Sequence, residues 1–308
     1  MSNSTGFYPR LQVDTSNSAA VGQAGGVLLT ETIAASGLGP AMSVALSGWR
    51  KPLAVHDPAK VVVDLAVTLA LGGDCLADIA LLRSEPGLYG LVASDATVSR
   101  TISALAADAP AVLAAIDAAR AAGRARAWKL AGKHAPDHGT SAAAPLVVDL
   151  DATLVGSHSE KEQAAPTYKK GFGFHPLFSF VDHGSAGTGE PLSVLLRPGN
   201  AGSNTATDHI AVIKAALAQL PSARPGKRAG RKVLIRTDSA GCTHKALTWM
   251  AGQRLSYSVG FPLPHNTTQL LELIPADVWT PAYDARHPRD ERSRLAQRAV
   301  WLFVAMMA

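Results

Sequence analysis

Apolar residues recur at helical spacing as far as residue 131 and at strand spacing from residue 146 onward, and this change of period most constrains the fold. In the first part, segments 25–35, 59–71, 75–82, 96–107 and 111–130 carry the helical pattern, and strand signals are nearly absent. Ser94 stands where an N-cap hydroxyl would serve the fourth helix, and Pro110 suits the first turn of the fifth. Gly37, Gly39, Gly72, Gly73, Gly87 and Gly90 punctuate the connections, and the Ala-rich stretch 104–131 is ordinary helix. Residues 132–144 turn to Gly, His, Pro, Ser and Ala without a period, which is linker composition and places a domain boundary there.

Beyond the linker the spacing predicts strands over 146–154, 171–181 and 191–197, with Gly184, Ser185 and Gly187 turning the second into the third. A helix follows from Asn204 or Thr205, with Ile210, Ile213, Leu217 and Leu220 on its apolar side. Then come a basic loop, a strand over 232–237, a helix over 243–251, a strand over 255–261 and a helix over 267–274. Three strands joined by short turns pair antiparallel, and the later alternation adds parallel strands to the same sheet. The fold class expected is therefore α/β: a mixed sheet flanked by helices, preceded by an all-α N-terminal domain.

Hydrophobic residues at 47% and charged residues at 17% exclude a disordered chain. No run reaches the roughly 18 to 20 apolar residues that span a bilayer. Residues 1–14 are polar and lack the layout of a secretory signal, so a cytoplasmic location without a membrane partner is expected. Cys75 and Cys242 match neither a disulfide framework nor a CxxC metal site, and both are expected to be small buried residues. A net charge of +5 favours a polyanionic partner, because Lys and Arg gain affinity by releasing phosphate counterions.

The chemistry concentrates in Val147-Val148-Asp149-Leu150-Asp151-Ala152-Thr153, an apolar strand ending in two acids on one face. Such charges need a partner, and Mg²⁺ is the usual one where carboxylates meet phosphates. Asp238 ends the strand Val233-Leu234-Ile235-Arg236-Thr237 and is followed by Ser239, Ala240 and Gly241. The strand order above makes the first and fourth strands neighbours, so their terminal acids can meet.

The stretch 149–162 resembles the first catalytic strand of IS1380-type DDE transposases, as does Tyr168-Lys169-Lys170-Gly171-Phe172-Gly173-Phe174-His175-Pro176-Leu177 after it. Arg197-Pro198-Gly199-Asn200 and Arg236-Thr237-Asp238-Ser239-Ala240-Gly241 also match that family's pattern, and the similarity runs from about residue 25 to about 285. The resemblance implies an RNase H-like core whose Asp, Asp and Glu hold two Mg²⁺ ions, with Mn²⁺ able to substitute. It carries over Asp151 and Asp238 as catalytic and metal-holding, with Asp149 as a same-face neighbour at the metal. It implies in-line cleavage and strand transfer of double-stranded DNA at transposon ends, one metal activating the attacking hydroxyl and the other stabilising the leaving oxygen. DNA contacts are expected from Lys169, Lys170, Arg228, Arg231, Lys232 and Arg236, the loop from Arg224 to Lys232 lying near the site, and a homo-oligomer is an expected assembly.

In that family the third acid lies far downstream on a helix. Residues 286–308 do not resemble the family, which suggests truncation or a frameshift and an inactive chain; Glu272 and Glu291 are the only stand-ins. The domains expected are thus 1–131 (helical, DNA-end binding), 132–144 (linker), 145–285 (incomplete catalytic core) and 286–308 (aberrant tail). Two other functions use the same residues. A haloacid-dehalogenase-type phosphatase would take Asp149 as nucleophile and Asp151 as general acid/base, but needs a βα alternation directly after the motif. A non-catalytic remnant would bind element ends or inhibit transposition. Thr97-Val98-Ser99-Arg100 could read a DNA groove or be a polar helix face. His158, His175 and His244 fit no zinc spacing, so packing or surface roles are expected.

Overall fold

The computed structural model describes residues 6–9, 25–158, 160–184, 189–203, 205–222 and 227–275. Residues Met1–Gly260 form one compact unit and Phe261–Ala308 a second.

Helices occupy the chain from Gly26 to His134. α1 (Gly26–Ser36) and α2 (Leu38–Ala45) meet at Gly37, whose φ of 67° a side chain would strain. α3 (Pro58–Ala70) starts at Asp57, whose carboxylate accepts the Ala59 N–H at 2.8 Å, with Pro58 in the first turn. α4 (Ala80–Arg83), α5 (Pro86–Tyr89), α6 (Asp95–Ala106) and α7 (Ala109–Ala131) follow.

The helix expected over 75–82 is instead a 3₁₀ turn, Leu76–Ile79, running into α4. The Asp78 carboxylate tightens it by accepting the N–H groups of Asp74 and Cys75. Cys75, at the head of this turn, is exposed rather than buried, and Cys242 is half-buried. Ser94 occupies the N-cap of α6, but its hydroxyl meets that of Thr97 at 3.1 Å instead of a backbone N–H.

Leu46, Ile79, Leu82, Tyr89 and Val98 are fully buried in the helical core. α7 joins this core to the next: Val112 and Ala119 pack in the first, Trp128 in the second. Arg124, buried on α7, donates to Gln219 Oε1 at 2.6 Å, to the Pro191 carbonyl at 2.9 Å and to Glu190. The linker segment 132–144 accordingly lies within the first compact unit.

The second core is built on β1 (Leu146–Ala152), β5 (Leu177–Val181), β6 (Glu190–Leu195), β7 (Val233–Thr237) and β8 (Ser256–Val259), after a small sheet of β2 (Val155–Gly156), β3 (Ala165–Pro166) and β4 (Phe172–Phe174). The large sheet has the order β6-β5-β1-β7-β8. β5 and β6 run antiparallel outward from β1; β7 and β8 run parallel to it on the other side. The first and fourth of the expected strands are therefore neighbours, as their order requires. α8 (Ala206–Ala218) and α9 (His244–Gly252) supply the crossovers, and Thr243 caps α9 by accepting the Ala246 N–H. Val148, Leu192, Ile213, Ile235 and Met250 are buried between sheet and helices, each contributing about 1.5–3 kcal/mol by leaving water.

The expected strand over 171–181 is broken in two. Gly173, at φ 151°, lets β4 approach the 155–157 backbone, where a Cβ would lie 2.1 Å from the Val155 carbonyl oxygen. Pro176 has no N–H to continue a ladder, so the chain leaves the small sheet and enters the large one as β5. On α8 the buried residues are His209, Val212, Ile213 and Ala216; Ile210 and Leu217, expected on the apolar side, are half-buried. Asn204, Ser185 and Gly187 lie outside the described residues. α10 (Thr267–Glu272) belongs to the second unit. Among the described residues no single helix is long and apolar enough to cross a membrane.

Candidate active site

β1 alternates between core and opposite face: Leu146, Val148 and Leu150 are buried, and Asp149 and Asp151 point the other way. β7 does the same with Val233 and Ile235 against Arg236. The parallel register pairs Asp149 with Arg236 and Leu150 with Thr237. The β1–β7 pairing ends at Leu150–Thr237, so Asp151 and Asp238 are the next residues along two adjacent parallel strands, and both are exposed.

The turn after β7 holds Asp238 in place. Its carboxylate Oδ1 accepts the Ala240 N–H at 2.9 Å and caps the 3₁₀ turn Ser239–Gly241. Gly241 is pressed against Thr237, where a Cβ would lie 2.3 Å from Thr237 Cγ2. Gly260 donates its N–H to the Thr237 carbonyl at 3.0 Å, and a Cβ there would meet the backbone of Asp238 and Ser239 at 3.0–3.2 Å. Glycine at both positions lets the backbone close around the acid.

Asp149 has a different partner. The Arg236 guanidinium donates Nε and Nη2 to its two carboxylate oxygens and shares Nη2 with Asp182 at 2.8 Å. Asp182 follows β5 and also accepts the Gly184 N–H at 2.7 Å. That backbone bond, then Arg236, holds the Asp182 carboxyl below the usual range; the Asp149 hydrogen bond raises the guanidinium's own pKa further. The partner demanded by the charge of Asp149 is thus a protein cation. Arg236, expected to contact DNA, is committed to two carboxylates. The sequence carried a signal for Asp182, an acid directly after the apolar run 177–181 as in the other two strands, but its role depended on the register.

The expected basic residues divide between the two ends of the sheet. Lys169 and Lys170 sit in the turn between β3 and β4, in the small sheet that continues from the acid-bearing end of β1; Lys170 has φ 61°. Arg228, Arg231 and Lys232 precede β7 and so lie at its other end. Six strand steps of ~3.3 Å put Lys232 about 20 Å from Asp238. The expectation that this loop stands near the acids is corrected by the direction of the strand. Arg224 lies outside the described residues.

The Arg197-Pro198-Gly199-Asn200 segment is structural. Arg197 is buried, donates to the His175 carbonyl at 2.9 Å and the Gly202 carbonyl at 3.2 Å, and pairs with Asp208. Gly199 lies so close to the Ala165 and Gly173 carbonyls that a Cβ would meet them at 2.2 and 2.6 Å. His175 is buried, with Nδ1 3.2 Å from the Ala201 carbonyl, and packs against Tyr168; His158 is exposed. On α6, Val98 is buried while Ser99 and Arg100 are exposed.

Two adjacent carboxylates offer hard oxygen donors at an open edge, which suits Mg²⁺ or Mn²⁺. Asp149, Asp151 and Asp238 do not converge within one coordination sphere. Among the described residues the group that does is Asp74, Cys75 and Asp78, where Asp78 already caps its own turn. Glu272 belongs to the second unit, and Glu291 lies outside the described residues.

A mixed sheet carrying acids at the ends of two adjacent parallel strands defines an α/β fold with a carboxylate-bearing sheet end. The family model described as Transposase DDE domain group 1 matches residues 3–301, and the chain belongs to that family. The match runs past residue 285, where the sequence resemblance was taken to end. No curated protein matches the chain. Members of the family generally use divalent metal ions. The phosphatase alternative is not favoured: β1 is followed by strands that return antiparallel beside it, not by a parallel βα unit.

Proposed function

We propose that this chain is an IS1380-type transposase with an RNase H-like core, and that Asp151 and Asp238 hold the divalent metal, Mg²⁺ with Mn²⁺ as substitute, at which DNA phosphodiesters react. The observation that supports this is that Asp151 and Asp238 each directly follow the last paired rung, Leu150–Thr237, of the β1–β7 pair. A bound metal would activate the attacking hydroxyl and neutralise charge on the leaving oxygen. The chain's own residues supply position: the Ala240 N–H fixes one oxygen of Asp238, and Arg236 keeps Asp149 turned to itself and away from the metal. Lys169 and Lys170 contact DNA phosphates beside the reacting bond, and the helical region through residue 131 handles the element end, with Thr97 and Arg100 on α6 facing the duplex.

The described residues supply two acids to the site, so on this proposal the chain by itself binds metal weakly and does not complete transposition. Two measurements separate the parts. Asp151→Asn and Asp238→Asn should each weaken Mn²⁺ binding by roughly 10-fold or more, since a lost ligand costs at least as much as a lost outer-shell partner. Unchanged Mn²⁺ affinity in both would overturn the metal site. Cutting or joining of terminal-repeat DNA by the purified chain with Mg²⁺ or Mn²⁺ would overturn the proposed inactivity alone.

A further inference from the structure

The pole of the sheet opposite the acids carries a concentration of cations that the proposed chemistry does not use. The cleft at the start of β1 and β7 is lined by Lys227, Arg228 and Lys232 together with Leu146, Val233 and the end of α8. A second depression is lined by Gly230 and Arg231 of the 3₁₀ turn Gly230–Lys232 together with Arg254 and Tyr257. All five basic side chains are exposed, and none forms an ion pair with a described residue. Asp137 is the one acid lining either depression.

The platform under these charges is ordered. Gly230 turns the chain at φ 72°, and the Arg231 carbonyl accepts the Ser256 hydroxyl at 3.3 Å, fastening the turn to β8. Unneutralised cations held on a fixed turn repel one another. A surface of this kind is stabilised by a ligand that brings regularly spaced negative charge, and a nucleic-acid backbone does so while releasing its counterions. Contacts from Lys and Arg to the phosphate backbone position a duplex rather than specify its sequence.

We propose that Lys227, Arg228, Arg231, Lys232 and Arg254 form a second, sequence-independent binding surface for the phosphate backbone of duplex DNA. It lies about 20 Å from Asp238 along β7, a span of roughly six base pairs. The surface and its ligand stand without the metal chemistry; only the six-base-pair relation to the cut rests on the transposase proposal. An acidic protein segment is the competing ligand for such a surface.

The test uses the full chain, with chelator present so that the acid pair plays no part. Binding of a fluorescent duplex of arbitrary sequence is followed across a salt series for the native chain and for Lys227→Gln/Arg228→Gln/Lys232→Gln. Three lost phosphate contacts should flatten the slope of log affinity against log salt by about 2–3 and weaken binding roughly 10- to 100-fold. A matched Lys169→Gln/Lys170→Gln chain shows what loss at the acid pole does, and unchanged melting of both variants shows that they fold. An unaltered slope in the triple variant overturns the proposal. So does loss of polyglutamate binding with duplex binding intact, which would assign the surface to an acidic protein. Failure of metal-dependent cleavage leaves this result untouched, because no metal is present.

Discussion

Arg236→Gln should tighten the binding of a divalent cation at Asp151 and Asp238, although it removes two ion pairs from the fold. Arg236 stands two strand positions from Asp238 on the same face, about 7 Å away at ~3.3 Å per residue. Its guanidinium side chain is 50% exposed, so a water-like dielectric applies. Repulsion of a doubly charged ion by one positive charge at that distance is then about 1.2 kcal/mol. Salt at physiological strength, with a screening length of ~8 Å, removes roughly half of it. The remaining ~0.6 kcal/mol corresponds to a two- to threefold tighter dissociation constant. Stability moves the other way, since Asp149 and Asp182 lose their common cation. Because those carboxylates are 31% and 29% exposed, solvent limits that cost to about 1 kcal/mol. The assay is a Mn²⁺ titration followed by the resonance of the free ion, at low and at physiological salt, with the gain larger at low salt. Asp149→Asn should do the reverse and weaken binding, by leaving the guanidinium with Asp182 as its acidic partner and more of its charge uncompensated. Weaker binding in Arg236→Gln would refute the reasoning, because it would mean that the ion needs Asp149 held in place as a ligand.

Two further outcomes follow from the packing. Gly241→Ala drives a Cβ into the side chain of Thr237, a β-branched residue with little rotamer freedom, and should destabilise the chain by about 1–3 kcal/mol; adding Thr237→Ala should restore most of it in a thermal melt, and no rescue would mean that the strain lies in the backbone. Glu190 is partly buried, and although burial pushes its carboxyl up, the hydrogen bonds from Arg124 and Trp128 prevail and hold it below the usual value of 4.5. A depressed folded value contributes stability that is present above pH 4.5 and lost as pH falls through the folded value. Glu190→Gln should therefore cost about 2 kcal/mol at neutral pH, less than a fully buried pair would, and should flatten the fall in denaturant stability on acidification; an acid limb as steep as the native one would exclude Glu190 as its source.

What could be read from the sequence was governed by period and chain order. Leu146, Val148 and Leu150 alternate with Val147, Asp149 and Asp151 closely enough to give both the strand and its faces, and three strands before the first crossover fix β1 and β7 as neighbours. The sequence could not show which acid on that face remains free for a ligand. Asp149 and Asp151 look alike in a linear motif; they differ because Asp149 is paired with an arginine on β7, while Asp151 lies beyond the last paired rung, Leu150–Thr237. That two-residue difference depends on the register between strands separated by more than eighty residues, which local spacing does not encode. The basic loop misled for a related reason. Lys232 adjoins β7 in sequence, but it precedes one end of that strand and Asp238 follows the other, so adjacency in the chain became separation by the length of the strand. On the proposed reading the same geometry gives the charges of that loop a use of their own, since a duplex is long enough to reach both poles of the sheet at once and a side chain at one pole cannot serve the other.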